Sequence, residues 1–145
     1  MLPRWHILLG TVFTILIWIF SPQINLFYLA IIFFSSFLID FDHYAASVIK
    51  TKKLGLKDSF RYHEKLNIQE KKEIAKGIKK KSDFHLFHTI EFHLLIGLLG
   101  LLWVGFFYVF LGMIFHSTLD IFSMAREGSI HRREYFFFNW LSRKI

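Results

Sequence analysis

Residues 84–124, FHLFHTIEFHLLIGLLGLLWVGFFYVFLGMIFHSTLDIFSM, decide how this chain folds. The stretch is apolar except at His85, His88, Glu91, His93, His116, Asp120 and small polar residues. Its length allows one very long helix or two short ones. In a continuous helix His93 and His116 would lie about 35 Å apart, on opposite sides of a bilayer. A turn near Val104-Gly105-Phe106 would return them to one side, and Gly105 offers a break. The hairpin is the preferred reading because it collects the ionisable residues at one depth. It leaves two helices too short to span fully, so the hairpin would penetrate part of the bilayer or be shielded by other helices.

Upstream, residues 6–20 are almost unbroken apolar sequence closed by Ser21-Pro22-Gln23, and residues 24–39 form a second apolar run. Together they predict a helical hairpin, each arm slightly shorter than the roughly 20 residues that cross a hydrocarbon core. A cleaved signal peptide is disfavoured, since Arg4 is a meagre basic region and no small-residue cleavage site follows Phe20. The composition agrees: 145 residues, 54% hydrophobic and 19% aromatic, are too apolar for an ordinary soluble domain. The expected fold class is all-α, a small integral membrane bundle of about four short helices at residues 6–20, 24–39, 85–103 and 107–124.

Residues 50–81 break the pattern, with twelve Lys or Arg against Asp58, Glu64, Glu70 and Glu73. The expected basic insertion covers residues 50–83, outside the hydrocarbon. Asn67-Ile68-Gln69-Glu70 resembles a capping-box start, and Ile68, Ile74, Ala75 and Ile78 give a weak apolar stripe. This reads either as a basic helix lying on the membrane surface against anionic headgroups or as a solvated charged linker. Nucleic acid is a weaker reading of the net charge of +7. Arg4, the basic insertion and the tail at residues 125–145, with Arg126, Arg132, Arg133, Arg143 and Lys144, fall on one side of a four-segment topology. The positive-inside rule makes that side cytoplasmic and the protein a multi-pass protein of the cell membrane.

Three fragments put metal-ligand side chains beside or inside these apolar runs. They are Asp40-Phe41-Asp42-His43, His88 with His93, and His116-Ser117-Thr118-Leu119-Asp120. The chain has no cysteine, which excludes disulfides and thiolate-held zinc or iron–sulfur centres and leaves imidazole and carboxylate as ligands. His116 and Asp120 are spaced i, i+4 on one helical face. Asp40 and His43 share a face at i, i+3, with Asp42 able to reach from the helix end. His88 and His93 serve one ion only if their helix begins irregularly or two metals are bound, and Glu91 lies on the His88 face. Each fragment has an ordinary reading: an HxxxD pair hydrogen-bonds within the membrane, a DxDH caps a helix, and histidines sit at interfaces. His6, His63 and His85 read as surface or boundary residues. Taken together, carboxylates and imidazoles so close to lipid need a common partner, and a divalent cation is the economical one.

The same fragments resemble a known family. Leu38-Ile39-Asp40-Phe41-Asp42-His43 is similar to the LPDxDH motif of the YdjM-like, LexA-regulated family of predicted membrane-bound metal-dependent hydrolases. His88-Thr89-Ile90-Glu91-Phe92-His93 is similar to that family's HRxxxHS segment, and the stretch from Gly112 to Asp120 to its GxxxHxxxD helix. Ile39, Thr89 and Leu94 depart from the family's proline, arginine and serine. The resemblance spans about residues 24–124 and implies that Asp40, Asp42, His43, His88, His93, His116 and Asp120 are metal ligands. It also implies phospholipase C-like phosphoester hydrolysis.

The function expected from these observations is metal-assisted hydrolysis of a phosphoester at the cytoplasmic leaflet. Zinc is the first choice of metal, in one or more ions, and membrane lipid the partner. Asp40 or Glu91 would act as general base if not itself a ligand. Arg132 and Arg133 could grip phosphate, although positive-inside anchoring accounts for both. The alternative is a non-enzymatic membrane protein with a structural metal site or a metal-handling scaffold. Membrane di-iron oxidation ranks last because it expects denser histidine clusters.

Overall fold

A computed structural model describes residues 3–145, and among them every regular element is helical. The helices are α1 (Pro3–Phe20), α2 (Leu26–Leu38), α3 (Phe41–Thr51), α4 (Leu56–Ala75), α5 (Ile90–Leu99), α6 (Val104–Arg126) and α7 (Phe137–Ser142). Short 3-10 turns occupy Leu86–His88 and Ile130–Arg132. Two helical stretches, Leu26–Thr51 and Val104–Arg126, are long and apolar enough to cross a membrane, whereas α1 and α5 are apolar but shorter.

Local chemistry sets the boundaries. Ser21-Pro22 ends α1, because a residue before proline is pushed away from helical geometry. The Asn25 side chain accepts a hydrogen bond from the Phe27 N–H at 2.8 Å and starts α2. A short interruption at Ile39-Asp40 separates α2 from α3. Lys52, at φ 60°, turns the chain out of α3. The chain then reverses into α4, held to α3 by a buried 2.7 Å hydrogen bond between the Ser47 and Ser59 hydroxyls.

The basic helix starts at Leu56, not at Asn67, which lies in its interior. The capping-box pattern at residues 67–70 is overridden because the 3.6-residue pattern of Ser59, Tyr62, His63 and Leu66 already turns one face inward. The turn between α5 and α6 falls at residues 100–103 rather than 104–106. Gly100, not Gly105, makes the close approach: a Cβ there would lie 2.9 Å from the Gly97 carbonyl oxygen and 3.1 Å from the Phe107 nitrogen. Gly105 sits in the first turn of α6, where the Trp103 indole occupies the space of a side chain. With only ten residues, α5 rises about 15 Å, half of a hydrocarbon core.

The centre of the bundle is α2 against α6, with α1 and α5 on their flanks. The helices touch closely at Ser36. A Cβ at Gly112 would lie 2.6 Å from the Ile32 carbonyl oxygen and 3.0 Å from the Ser36 nitrogen, and one at Gly10 would lie 3.2 Å from the Ser36 Cβ. Small residues therefore let α1, α2 and α6 converge on one point, as in membrane helix packing. Stacked rings continue the seams, Phe13 on Phe115 at 4.1 Å and Tyr28 on Tyr108 at 4.6 Å.

The tail at residues 125–145 is woven into the body. Arg132 is buried and donates to Glu73 Oε2 of α4 at 2.7 Å, with Glu70 Oε1 at 3.9 Å. Hydrogen bonds from Gln69 and Arg132 hold the Glu73 carboxyl below its ordinary range. Replacing Gly112 with valine should force α2 and α6 apart and destabilise the fold by about 1–3 kcal/mol, read as a lower Tm in detergent. The Glu73–Arg132 contact should be complete at pH 7 and lost only as pH falls below the ordinary glutamate range, because a depressed carboxylate pKa contributes stability that is present above its unfolded value. Limited proteolysis at residues 76–82 should accelerate in that acid range, and Glu73→Gln should reproduce the acceleration at pH 7.

Candidate metal centre

Four side chains from three separated parts of the chain converge on one point. Asp40 stands at the interruption between α2 and α3, in the N-cap position, yet its side chain makes no capping bond. His88 ends the 3-10 turn before α5, and His116 and Asp120 lie one turn apart on α6. Their ligand atoms all fall within 4.8 Å of one another. His88 Nε2 and His116 Nε2 are 3.2 Å apart. Asp40 Oδ1 is 3.3 Å from His116 Nε2 and 3.6 Å from His88 Nε2. Asp120 Oδ2 is 3.5 Å from His116 Nε2 and 3.8 Å from His88 Nε2. Bonds of about 2.0–2.2 Å to a tetrahedral zinc would require separations of about 3.3–3.6 Å.

The outer hydrogen bonds place the imidazole protons. Asp42 Oδ2 accepts from His88 Nδ1 at 3.1 Å, and the Ser36 carbonyl accepts from His116 Nδ1 at 2.9 Å. Neither partner can donate, so in the neutral rings both protons sit on Nδ1 and both Nε2 atoms present lone pairs. Two imidazole lone pairs and two carboxylate oxygens thus face a common centre. Arg133 offsets part of the charge on Asp120, and a proton bridges only two of the four, whereas a divalent metal could be held by three or by all of them. The Asp42–His88 pair has the form of the carboxylate–histidine support that would orient the imidazole on a metal.

Asp42 also accepts the Phe87 backbone N–H at 2.9 Å. Asp42, His43 and His88 form a second group within 4.8 Å of one another; Asp42 Oδ2 is engaged with His88 Nδ1, which supports the first group, while the buried Asp42 Oδ1 has no hydrogen-bond partner. His43 lies at the open edge, with Nε2 3.5 Å from Asp40 Oδ1 and 30% of its side chain exposed, compared with 22% for Asp40.

Three expected participants lie elsewhere. His93 is complete without a metal: Nδ1 donates to the Thr89 carbonyl at 2.9 Å, and Nε2 accepts from the Ser117 hydroxyl at 2.9 Å. Thr89 separates it from His88 by taking extended backbone geometry as the N-cap of α5. Glu91 accepts the Phe137 and Phe138 N–H groups at 2.9 and 3.4 Å, capping α7, so its carboxylate is committed away from the centre. Arg132 is committed to α4. Arg133 does reach the centre, donating to Asp120 Oδ2 at 2.5 Å.

Sequence reading missed His6, His63 and His85. His6 is buried, donates from Nε2 to Asp120 Oδ1 at 3.1 Å, and stacks on the His116 ring at 3.9 Å. A signal for it existed: His6 and Gly10 are four residues apart on α1, mirroring Gly112 and His116 on α6. The His85 ring lies 3.7 Å from the His43 ring, tilted by 33°, with Nδ1 3.8 Å from Asp42 Oδ1. His63 Nε2 donates to the His43 carbonyl at 2.9 Å.

Comparison with models of known protein families, with curated proteins and with solved structures found no match to this chain.

Purified protein should bind a divalent ion that is lost in His88→Ala and His116→Ala and kept in His93→Ala, measured by metal analysis after dialysis. His6→Phe preserves the stacking area but removes the hydrogen bond to Asp120, and should weaken metal affinity by about 10–100-fold. Loss of metal in His93→Ala equal to that in His88→Ala would refute the assignment.

Proposed function

We propose that this chain is a multi-pass membrane protein that uses a metal centre to hydrolyse a phosphoester at the cytoplasmic leaflet. The single observation that carries the reading is the convergence of four donor atoms inside a body whose exterior is apolar. Of the largest fully buried side chains among the described residues, only Ile32 is a hydrocarbon; His6, His116, Thr89, Ser36 and Ser47 are polar. Ile15, Leu16, Ile19 and Phe20 of α1, Leu94, Leu95 and Leu98 of α5, and Phe107 and Phe122 of α6 stand exposed. A polar interior inside an apolar surface suits lipid rather than water. Four membrane segments remain the best assignment, α1, α2 with α3, α5 and α6, with α5 entering only part of the depth. The basic stretches then lie on the cytoplasmic side.

His88, His116 and Asp120 are the three deeply buried ligands, a set of two imidazoles and one carboxylate of the kind that leaves a fourth position open in catalytic zinc sites. His88, His116 and Asp120 would hold a divalent cation, zinc in first place, which would supply Lewis-acid stabilisation of the phosphoryl oxygens and lower the pKa of an adjacent water. Asp40 is the most accessible of the four and serves as general base. It takes a proton from the attacking water, the water oxygen bonds to phosphorus, the ester P–O bond breaks, and the proton passes to the leaving oxygen. His43, beside Asp40 at the open edge, orients it. Arg133 supplies a guanidinium next to Asp120, placed to pair with the phosphate's anionic oxygens. This positive charge enters from the tail, where the resembling family carries an arginine at the position of Thr89.

A second reading, a structural metal site, draws on the number of donors: four protein ligands would close the coordination sphere. Asp40→Asn separates the two. For a hydrolase it should keep bound metal and thermal stability while lowering kcat on a phosphodiester probe such as bis(p-nitrophenyl) phosphate or on phospholipid by about 10²–10⁴-fold. Retained metal with no turnover by the unaltered protein on any phosphoester tested, and lost stability in Asp40→Asn, would leave the structural reading standing.

A further inference from the structure

The amphipathic surface of α4 is sorted by charge in a way that its overall composition conceals. Its inward face meets the body: Ser59 with Ser47, Tyr62 donating to Asp83 Oδ2 at 2.5 Å, His63 on the His43 carbonyl, Glu73 on Arg132, and Glu70 3.9 Å from the same guanidinium. These positions recur every three or four residues and mark one side of the helix. Both acidic residues of the second half of α4 are thereby turned inward. The outward side carries Lys57, Arg61, Lys65, Lys71 and Lys72, all exposed, against Glu64 and, at its edge, Asp58, which pairs with Lys53 at 3.7 Å. Among these cations stand Leu56, Phe60 and Ile68, with 66%, 62% and 51% of their surfaces exposed.

We propose that this face of α4 docks on an anionic phospholipid surface, the lysines and Arg61 against headgroup phosphates and Leu56, Phe60 and Ile68 in the boundary between headgroups and acyl chains. The occupant follows from charge complementarity and from the interleaving. Cations alone would suit any polyanion, but exposed leucine, phenylalanine and isoleucine at helical spacing among them match an interface that is charged above and apolar below. The proposal rests on the membrane reading above, which puts lipid within reach of α4. It is independent of the metal centre. The Arg132 clamp has a defined part in it: by taking Glu70 and Glu73, it holds the helix with its positive side out.

The absence of cysteine lets Phe60→Cys carry a single environment-sensitive fluorophore in the full-length protein. The protein is reconstituted into vesicles of phosphatidylcholine alone or of phosphatidylcholine with phosphatidylglycerol. The expected result is a blue shift of the label only in the anionic vesicles, reversed by high salt as surface charges are screened. The shift should vanish in the triple variant Lys57→Gln, Arg61→Gln, Lys65→Gln, with helix content by circular dichroism unchanged. Identical emission in both vesicle types overturns the proposal. A shift that follows protein-to-lipid ratio would assign the face to a second copy of this chain, and a shift on adding RNA to neutral vesicles with none from phosphatidylglycerol would assign it to nucleic acid; either also overturns it. Protein that fails to float with vesicles after a high-salt wash overturns the membrane reading together with this one. Protein that floats while its label stays silent overturns this one alone.

Discussion

The close approach of three helices at Ser36 is the constraint from which the rest of the structure follows. Gly10 and Gly112 have no Cβ to hold α1 and α6 away from α2 at that residue. One helical turn from each glycine stands a histidine, His6 on α1 and His116 on α6, and the shared contact brings their rings into a 3.9 Å stack. The Ser36 carbonyl, at the point of contact, then accepts the His116 Nδ1 proton and turns Nε2 toward Asp40, His88 and Asp120. Backbone packing and imidazole tautomer are therefore set by the same few atoms. A larger residue at position 112 would move His116 as well as loosen the bundle.

That arrangement accounts for how so polar an interior is tolerated. Buried carboxylates and imidazoles are expensive in the interior of a bundle with so apolar an exterior unless they have partners. His6, Arg133 and His116 surround Asp120, while Asp42 is held by His88 and the Phe87 N–H. The exceptions are the common centre, where acceptors face acceptors, and a few buried atoms such as Asp42 Oδ1 and His85 Nδ1 that have no hydrogen-bond partner. A cation at the centre would complete it.

How much of this was legible in the sequence depended on whether a feature was local. The i, i+4 spacing of His116 and Asp120 and the Asp40 to His43 cluster were readable because helical geometry alone puts such neighbours on one face. The fold-back of residues 84–124 was readable from the wish to bring ionisable residues to one depth, but not its position. Gly105 looked like the break, yet the glycine that matters is the one whose backbone meets Phe107, a tertiary fact. Glu91 looked like a base because it shares a face with His88; its carboxylate went to the first N–H groups of α7, a helix too short to be foreseen. His6 was invisible for the opposite reason, since nothing within α1 hints at Asp120, 114 residues away. Its only local mark was the glycine one turn on.

The tail links the two halves of the molecule through one peptide. Arg133 has extended backbone angles, φ −75° and ψ 139°, and in extended chain successive side chains leave on opposite sides. Arg132 accordingly reaches α4 while Arg133 reaches Asp120. The segment is held in place by the Ser82 N–H on the Arg132 carbonyl at 2.8 Å, Lys81 Nζ on the Arg133 carbonyl at 2.8 Å, and the Ile90 N–H on the Tyr135 carbonyl at 2.9 Å. None of these bonds involves α4, which meets the tail through the side chains of Glu70 and Glu73 on Arg132. The tail therefore carries Arg133 to Asp120 on its own backbone contacts, and the centre and the basic helix share a segment without sharing a constraint.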